Sequence, residues 1–334
     1  MIDKDAILEA IDWEPVVAAI RAEPLVHWGY EDAAMMVWNA TARFLPSDLE
    51  TCDFAKAIEQ HWALDLRPGR EMAVYFGAGA DEIVAAHPAT TAHGYTDLVL
   101  ATDDYIGLTY LFDWKTASAL DGSWQAALAD SWQWRIYCAV YGADNFAYRG
   151  IDKSVLEPRT PGKPYDWTRA PLKQVSFTAD GGLRAEVINY LATNMAMRDT
   201  LAARFPFGRW PRRMPDACWQ YRQRCAFWDN CRDAAKDVTD VFMPKPLSHS
   251  GITKFLNCPE SYRLATVTGH RGGSTATELG KALHRGMAAV YEQFKTLKEK
   301  FYETDTARAR ASAPPVAGGA GHEGGSATDG PDLL

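Results

Sequence analysis

Apolar residues recur near helical spacing at the start of the chain. Ile7, Ile11, Val16, Val17 and Ile20 form one stripe, and Met35, Met36, Trp38 and Phe44 another, so the pattern predicts helices over residues 4–63. The pattern changes over 71–116 to short β-rich runs. EMAVYF is followed by a Gly/Ala-rich break, then GYTDLVLA, a turn at Thr102–Tyr105, and IGLTYLFDWKT, which together predict a meander or hairpin. Helix is expected again over 123–142, strands near 145–150 and 172–178, and a helix over about 183–203. Pro and Arg dominate 204–215.

From residue 247 the pattern restarts. LSHSGITKFLNCPESYRL carries a helix N-cap at Ser248 or Ser250, and Leu279, Leu283, Met287, Val290, Phe294 and Leu297 trace an apolar helical stripe. Beyond about 304 the chain turns to Ala, Gly, Pro and Ser, a composition that cannot build a core, and 304–334 is expected to be a disordered tail. No internal repeat is present.

The chain has 334 residues, 47% of them hydrophobic, with 12 Trp and 14 Tyr, enough for a substantial core. No apolar run approaches a bilayer span, and the start, MIDKDAILEAIDWEP, lacks a secretory pattern. A cytoplasmic location without a membrane partner is therefore expected. There cysteines stay reduced, and a cysteine group serves as ligands more often than as disulfides. The net charge of −8 excludes a protein that coats nucleic acid, but not one that meets it through a local basic groove.

The candidate chemistry lies in two places. Asp113 and Lys115 are two residues apart, so a strand presents both on one face, and Asp97 on the preceding strand comes within reach if the two strands pair. Two carboxylates suit a hard divalent cation, and an ammonium beside them can orient water or stabilise developing charge. The second place is the group Cys218, Cys225, Cys231 and Cys258, the first three spaced C-x6-C-x5-C. Four thiolates suit a [4Fe–4S] cluster, and suit Zn²⁺ less because paired C-x-x-C knuckles are missing. Cys52 and Cys138 are expected in the core. Arg204, Arg209, Arg212 and Arg213, interleaved with Phe207 and Trp210, combine phosphate neutralisation with base stacking and form a candidate DNA track, with Arg222 and Arg224 nearby.

Asp97 in GYTD, Asp113 and Lys115 in FDWKT, and Gln133 and Tyr137 in SWQWRIYCAVYG resemble the Gly-x-x-Asp, Asp-x-Lys-Thr and Gln-x-x-x-Tyr motifs of the RecB-type branch of the PD-(D/E)XK nuclease superfamily. The cysteine triplet and FLNCPESYRL resemble the cluster ligands of its iron–sulfur members, among them CRISPR-adaptation nucleases, AddB-like subunits and phage exonucleases. The resemblance implies an α/β, restriction-endonuclease-like mixed sheet flanked by helices, with a helical iron–sulfur lobe. It implies one nuclease domain over 1–303: helical over 1–70, sheet and catalytic motifs over 71–203, cysteines and the Gly280–His284 helix over 204–303.

The resemblance further implies Mg²⁺ or Mn²⁺ on Asp97, Asp113 and His284, a [4Fe–4S] cluster, and an exonuclease acting on single strands or duplex ends in recombination, repair or phage DNA processing. Glu71 is a further acidic candidate. The alternative is an inactive iron–sulfur DNA-binding scaffold. No Walker A loop is present, so a helicase or recombination motor would be a separate partner. One departure stands out: the Cys-Pro and Gly-x-x-x-His segments come last here, whereas the family places them first. The chain is then either circularly permuted or a front-truncated copy followed by the start of another. Permutation explains why each element occurs once, and the 26 residues between Cys231 and Cys258 can bridge the old ends.

Overall fold

The computed structural model describes residues 4–25, 29–70, 73–103, 107–117, 119–152, 171–206, 209–211, 218–220, 223–232, 241–269 and 275–303. Three helices come first, α1 (Lys4–Ala10), α2 (Trp13–Arg21) and α3 (Tyr30–Thr51). The chain then enters a long strand, β1 (Phe54–Asp65), where helical spacing predicted helix up to residue 63. The segment AKAIEQHWALD is rich in helix formers, but Ala57, Trp62 and Leu64 are buried in the core, and tertiary burial overrides local propensity there.

Strand β2 (Ala73–Phe76) is followed by helix α4 (Ala78–Ala86) inside the expected Gly/Ala-rich break. Strands β3 (Thr91–Ala101) and β4 (Thr109–Ala117) follow as expected. The helical stretch over 123–142 is two helices, α5 (Gly122–Ala129) and α6 (Trp132–Tyr141), because Ser131 caps a new N-terminus by accepting from the Gln133 amide. Strands β5 (Asn145–Asp152) and β6 (Leu172–Thr178) and helix α7 (Leu183–Arg204) lie where the pattern put them.

The six strands form one mixed sheet in the order β2-β1-β3-β4-β5-β6. All neighbours are antiparallel except β4 and β5, which α5 and α6 connect in parallel. Because β1 lies between β2 and β3, the expected meander over 71–116 is reduced to the β3–β4 pair.

The later chain contributes a two-residue hairpin, β7 (Trp219–Gln220) with β8 (Gln223–Arg224), then α8 (Trp228–Arg232), α9 (His249–Asn257), α10 (Pro259–Thr268), α11 (Thr275–Tyr291) and α12 (Phe294–Lys298). Ser248 is the N-cap of α9, its hydroxyl accepting from the Gly251 amide. The predicted stripe from Leu279 to Leu297 is fully buried against α2, α3 and the sheet residues Leu98, Leu100, Phe112 and Trp114. On the opposite side α6 and α7 bury Ile136, Tyr137, Val187 and Leu191 against Trp62, Val99 and Leu111. A smaller core joins Trp210, Phe242, Phe255 and Tyr262. Among the described residues no helix is long and apolar enough to cross a membrane. The 304–334 tail lies outside the described residues.

One buried ion pair ties this assembly together. The Arg149 guanidinium donates to both Asp48 oxygens at 2.7 and 2.5 Å and to the Tyr291 hydroxyl at 3.0 Å, while the Tyr291 hydroxyl donates to Asp48. It links α3, β5 and α11 beneath the rings of Phe44, Phe112 and Trp114. Arg149→Met should leave a buried, uncompensated carboxylate and lower unfolding free energy by about 3–5 kcal/mol in urea titration. The triple variant Asp48→Leu/Arg149→Met/Tyr291→Phe should recover most of that loss; a triple variant as unstable as the single one would contradict the assignment.

Candidate active site

The site is made where the sheet ladder fails. Along β1 and β3 the register runs Ile58↔Leu98 and then Gln60↔Thr96, so Glu59 and Asp97 face each other at an unpaired step. Glu59 has φ 47°, the only described non-glycine residue in the left-handed region. The effect on the strand is visible in the packing. Ala57 and Trp62 are five positions apart, and a regular strand would put them on opposite faces, yet both lie in the same core; Ala92 and Val99, seven apart on β3, do likewise. Both strands therefore switch faces around the Glu59–Asp97 step.

The β3–β4 ladder stops at the same level. Its last pair is Leu98↔Phe112. Beyond it the Asp97 carboxylate, rather than a backbone carbonyl, accepts the Trp114 amide at 2.8 Å. Further down, the place beside β3 is taken by Leu247, whose amide donates to the Thr91 carbonyl at 2.8 Å and whose carbonyl accepts from the His93 amide at 2.8 Å. The wedge left between β3 and β4 is a cleft of about 670 Å³. It is lined by Glu59, Asp97, Asp113, Lys115, Gln133 and His284, with Ser248, His249 and Ser250 from the start of α9 at its border.

The structure brings together all the residues expected around Asp97. Lys115 Nζ lies 2.5 Å from Asp113 Oδ2, and the Gln133 amide donates to Asp113 Oδ1 at 2.7 Å and to the Tyr137 hydroxyl at 3.1 Å. Tyr137 in turn donates to the Tyr95 carbonyl at 2.6 Å. His284, 170 residues from Trp114 in sequence, reaches the same point from α11. Its Nε2 donates to the Trp114 carbonyl at 3.0 Å, which directs Nδ1 to Asp97 Oδ1 at 3.1 Å and Glu59 Oε1 at 3.6 Å. A histidine anchored through one nitrogen with the other directed at carboxylates has the orientation of a metal ligand.

Charge is strongly concentrated here. Burial pushes the Asp97 carboxyl upward, but His284, Lys115 and the Trp114 amide outweigh it and hold it below the usual range. Burial pushes Asp113 up to about 6; Lys115 opposes this and Asp97 adds to it. Burial alone would lower His284, but Asp97, Glu59 and Asp113 hold its imidazolium form well above the ordinary histidine value. Burial and the adjacent acids push the Tyr137 phenol well up, keeping it a neutral donor.

Among the described residues, Glu59, Asp97 and His284 are the one group of three or more His, Cys, Asp or Glu donors whose ligand atoms all lie within 4.8 Å of one another. Two hard oxygens and one imidazole nitrogen suit Mg²⁺ and, through the nitrogen, Mn²⁺ still better. Asp113 stands outside that compact set, held by Gln133 and Lys115. Glu59 lies in a segment whose composition reads as helix, and its place opposite Asp97 depends on a strand register that residue type does not announce. Glu71 lies outside the described residues.

The cysteines lie in the lobe built around Trp210. The Cys225 amide donates to the Cys218 carbonyl at 2.9 Å, and Cys225 Sγ is 3.8 Å from Ser261 Oγ in the first turn of α10, whose N-cap is Cys258. Arg209 donates to the Cys231 carbonyl at 3.2 Å. No three described cysteine thiols lie within 4.8 Å of one another, whereas one tetrahedral zinc would hold its sulfurs about 4 Å apart. Cys52 and Cys138 are buried, as expected.

The basic track is corrected in one place. Trp210 is only 1% exposed, packed on Phe242, Phe255 and Tyr262, so its ring cannot stack on a base. The apolar demand of the small core captures it. Arg204 is exposed and Arg209 half-buried, while Arg212, Arg213, Phe207 and Arg222 lie outside the described residues.

Two tests follow from this geometry. A side chain in the left-handed region costs about 1 kcal/mol that glycine avoids. Glu59→Gly should therefore match or exceed wild-type stability in urea while binding Mn²⁺ at least tenfold more weakly, whereas Glu59→Ala should lose affinity with no gain in stability. A Glu59→Gly protein less stable than Glu59→Ala would contradict the strain. The second test concerns His249, whose pKa burial and Lys115 lower to about 4. Between that value and about 6.5 the unfolded chain binds the extra proton, so stability should fall as pH drops through this window. His249→Gln should flatten the fall by on the order of 2 kcal/mol; identical pH–stability curves would show that His249 titrates freely.

No family model, curated protein or solved structure matches this chain.

Proposed function

We propose that this chain is a metal-dependent deoxyribonuclease with a restriction-endonuclease-like core, acting on single strands or duplex ends. The observation that carries the reading is the convergence of Glu59, Asp97, Asp113, Lys115 and His284 where β3 and β4 part. Glu59, Asp97 and His284 would hold Mg²⁺ or Mn²⁺, with Asp113 as the neighbouring acid. The cation supplies charge neutralisation and a more acidic bound water.

The chain's own groups do the rest. Lys115, clasped by Asp113, is placed to orient water and to offset negative charge growing on phosphate oxygens. Gln133 fixes the Asp113 carboxylate, and Tyr137 ties α6 to the strand carrying Asp97. His284 reaches the acids from a helix near the end of the chain, which favours permutation over a front-truncated copy. The lobe of Cys218, Cys225, Cys231 and Cys258 is assigned a [4Fe–4S] cluster, which takes four thiolates. Arg204 and Arg209 are assigned as phosphate contacts for DNA. A helicase or recombination factor is the fitting partner.

Asp113→Asn and Lys115→Met should each lower Mg²⁺-dependent cleavage of DNA by on the order of 10³-fold with an unchanged circular dichroism spectrum. Wild-type cleavage should be faster in Mn²⁺ than in Mg²⁺, and His284→Ala should raise the metal concentration needed for half-maximal rate while leaving DNA binding intact. DNA binding without metal-dependent cleavage by the wild type would replace this reading with an iron–sulfur scaffold. Anaerobically reconstituted protein should be brown, and colourless protein would remove the cluster.

A further inference from the structure

Beside the acidic cleft lies a group of rings and acids that the proposed chemistry does not use. Tyr95 is two residues from Asp97 on β3 and lines the same cleft, yet its side chain is 54% exposed. A large aromatic side chain so exposed at the mouth of a cleft has no role in the core.

The ring is nevertheless held. One face stacks on the His61 imidazole, with centroids 4.6 Å apart and planes at 15°. His61 is itself clamped between Asp81 at 2.7 Å and His93 at 3.2 Å. The Tyr95 carbonyl accepts from the Tyr137 hydroxyl, which fixes the backbone beneath the ring. With one face on His61 and more than half of the side chain still exposed, the opposite face is open to solvent. The result is a rigid aromatic surface, buttressed from below by a chain of three polar side chains, at the mouth of the metal-ligand cluster.

We propose that Tyr95 is a stacking platform for one unpaired nucleobase of the DNA strand whose phosphodiester enters the cleft. The proposal rests on the nuclease reading and deepens it by naming the substrate feature that the site selects. An open π-face accepts any base without regard to sequence, and it needs the base to be free of its partner strand. The preference is therefore for single-stranded DNA or a frayed end over a closed duplex. A platform held in place before binding loses little freedom when the base arrives.

The test reads stacking separately from cleavage. A short single-stranded oligodeoxythymidylate carries one 2-aminopurine, moved position by position, and binds the full-length protein in Ca²⁺ with cleavage followed in parallel in Mn²⁺. Wild type should quench the fluorophore strongly at one position. Tyr95→Ala should abolish that quenching and weaken binding by roughly tenfold, while Tyr95→Phe and Tyr95→Trp retain both. An unlabelled, covalently closed circular duplex should compete with the labelled strand roughly tenfold more weakly than unlabelled oligodeoxythymidylate does. Quenching in Tyr95→Ala equal to wild type, or equal competition by the closed circular duplex, overturns the platform. Position-specific, Tyr95-dependent quenching without cleavage supports the platform while removing the nuclease reading. Cleavage without any position-specific quenching overturns the platform alone, and absence of binding overturns both.

Discussion

The structure depends on the unpaired Glu59–Asp97 step between β1 and β3. At Glu59 and Asp97 two antiparallel strands switch faces, and at the same level β4 leaves β3. A continuous ladder would bury backbone against backbone and leave no room for chemistry. The interruption converts that space into a cleft whose open hydrogen-bonding positions are taken by polar side chains: Asp97 accepts the Trp114 amide, and His284 donates to the Trp114 carbonyl. Ladder failure and site formation are the same event. The strained backbone of Glu59 is a local cost of the kind that surrounding structure must over-determine.

That surrounding structure is traceable. His284 can meet Asp97 only if α11 is held at a fixed height over the sheet. Tyr291 lies two helical turns after His284, on the same face of that helix, and is bound into the buried Asp48–Arg149 pair. The ion pair thus fixes a helix from the end of the chain to a strand from its middle and a helix from its start. Within the sheet, Leu247 occupies the position beside β3 that β4 vacates, which brings Ser248 and His249 to the cleft border. Each wall of the site is set by a contact outside it.

Much of this was legible in the sequence because it is local or periodic. Strands β3, β4, β5 and β6, helix α7 and the stripe on α11 announce themselves by spacing, and Asp97, Asp113, Lys115, Gln133, Tyr137 and His284 by motif. Three things were not legible. Strand β1 is written in helix-forming residues and becomes a strand only because its neighbours bury it, which concealed Glu59. Trp210 sits among arginines but is drawn into a small core by Phe242, Phe255 and Tyr262, all distant in sequence. The face switch has no sequence signal, because Glu59 adopts a conformation that residue type argues against.

The claim that the ladder break builds a metal centre can be tested without reference to catalysis. Crystals of the protein grown with Mn²⁺ and measured above the manganese absorption edge should give one dominant anomalous peak, about 2.0–2.3 Å from carboxylate oxygens of Glu59 and Asp97 and from His284 Nδ1. A dominant peak away from these three side chains, or none in the cleft at saturating Mn²⁺, would contradict the account.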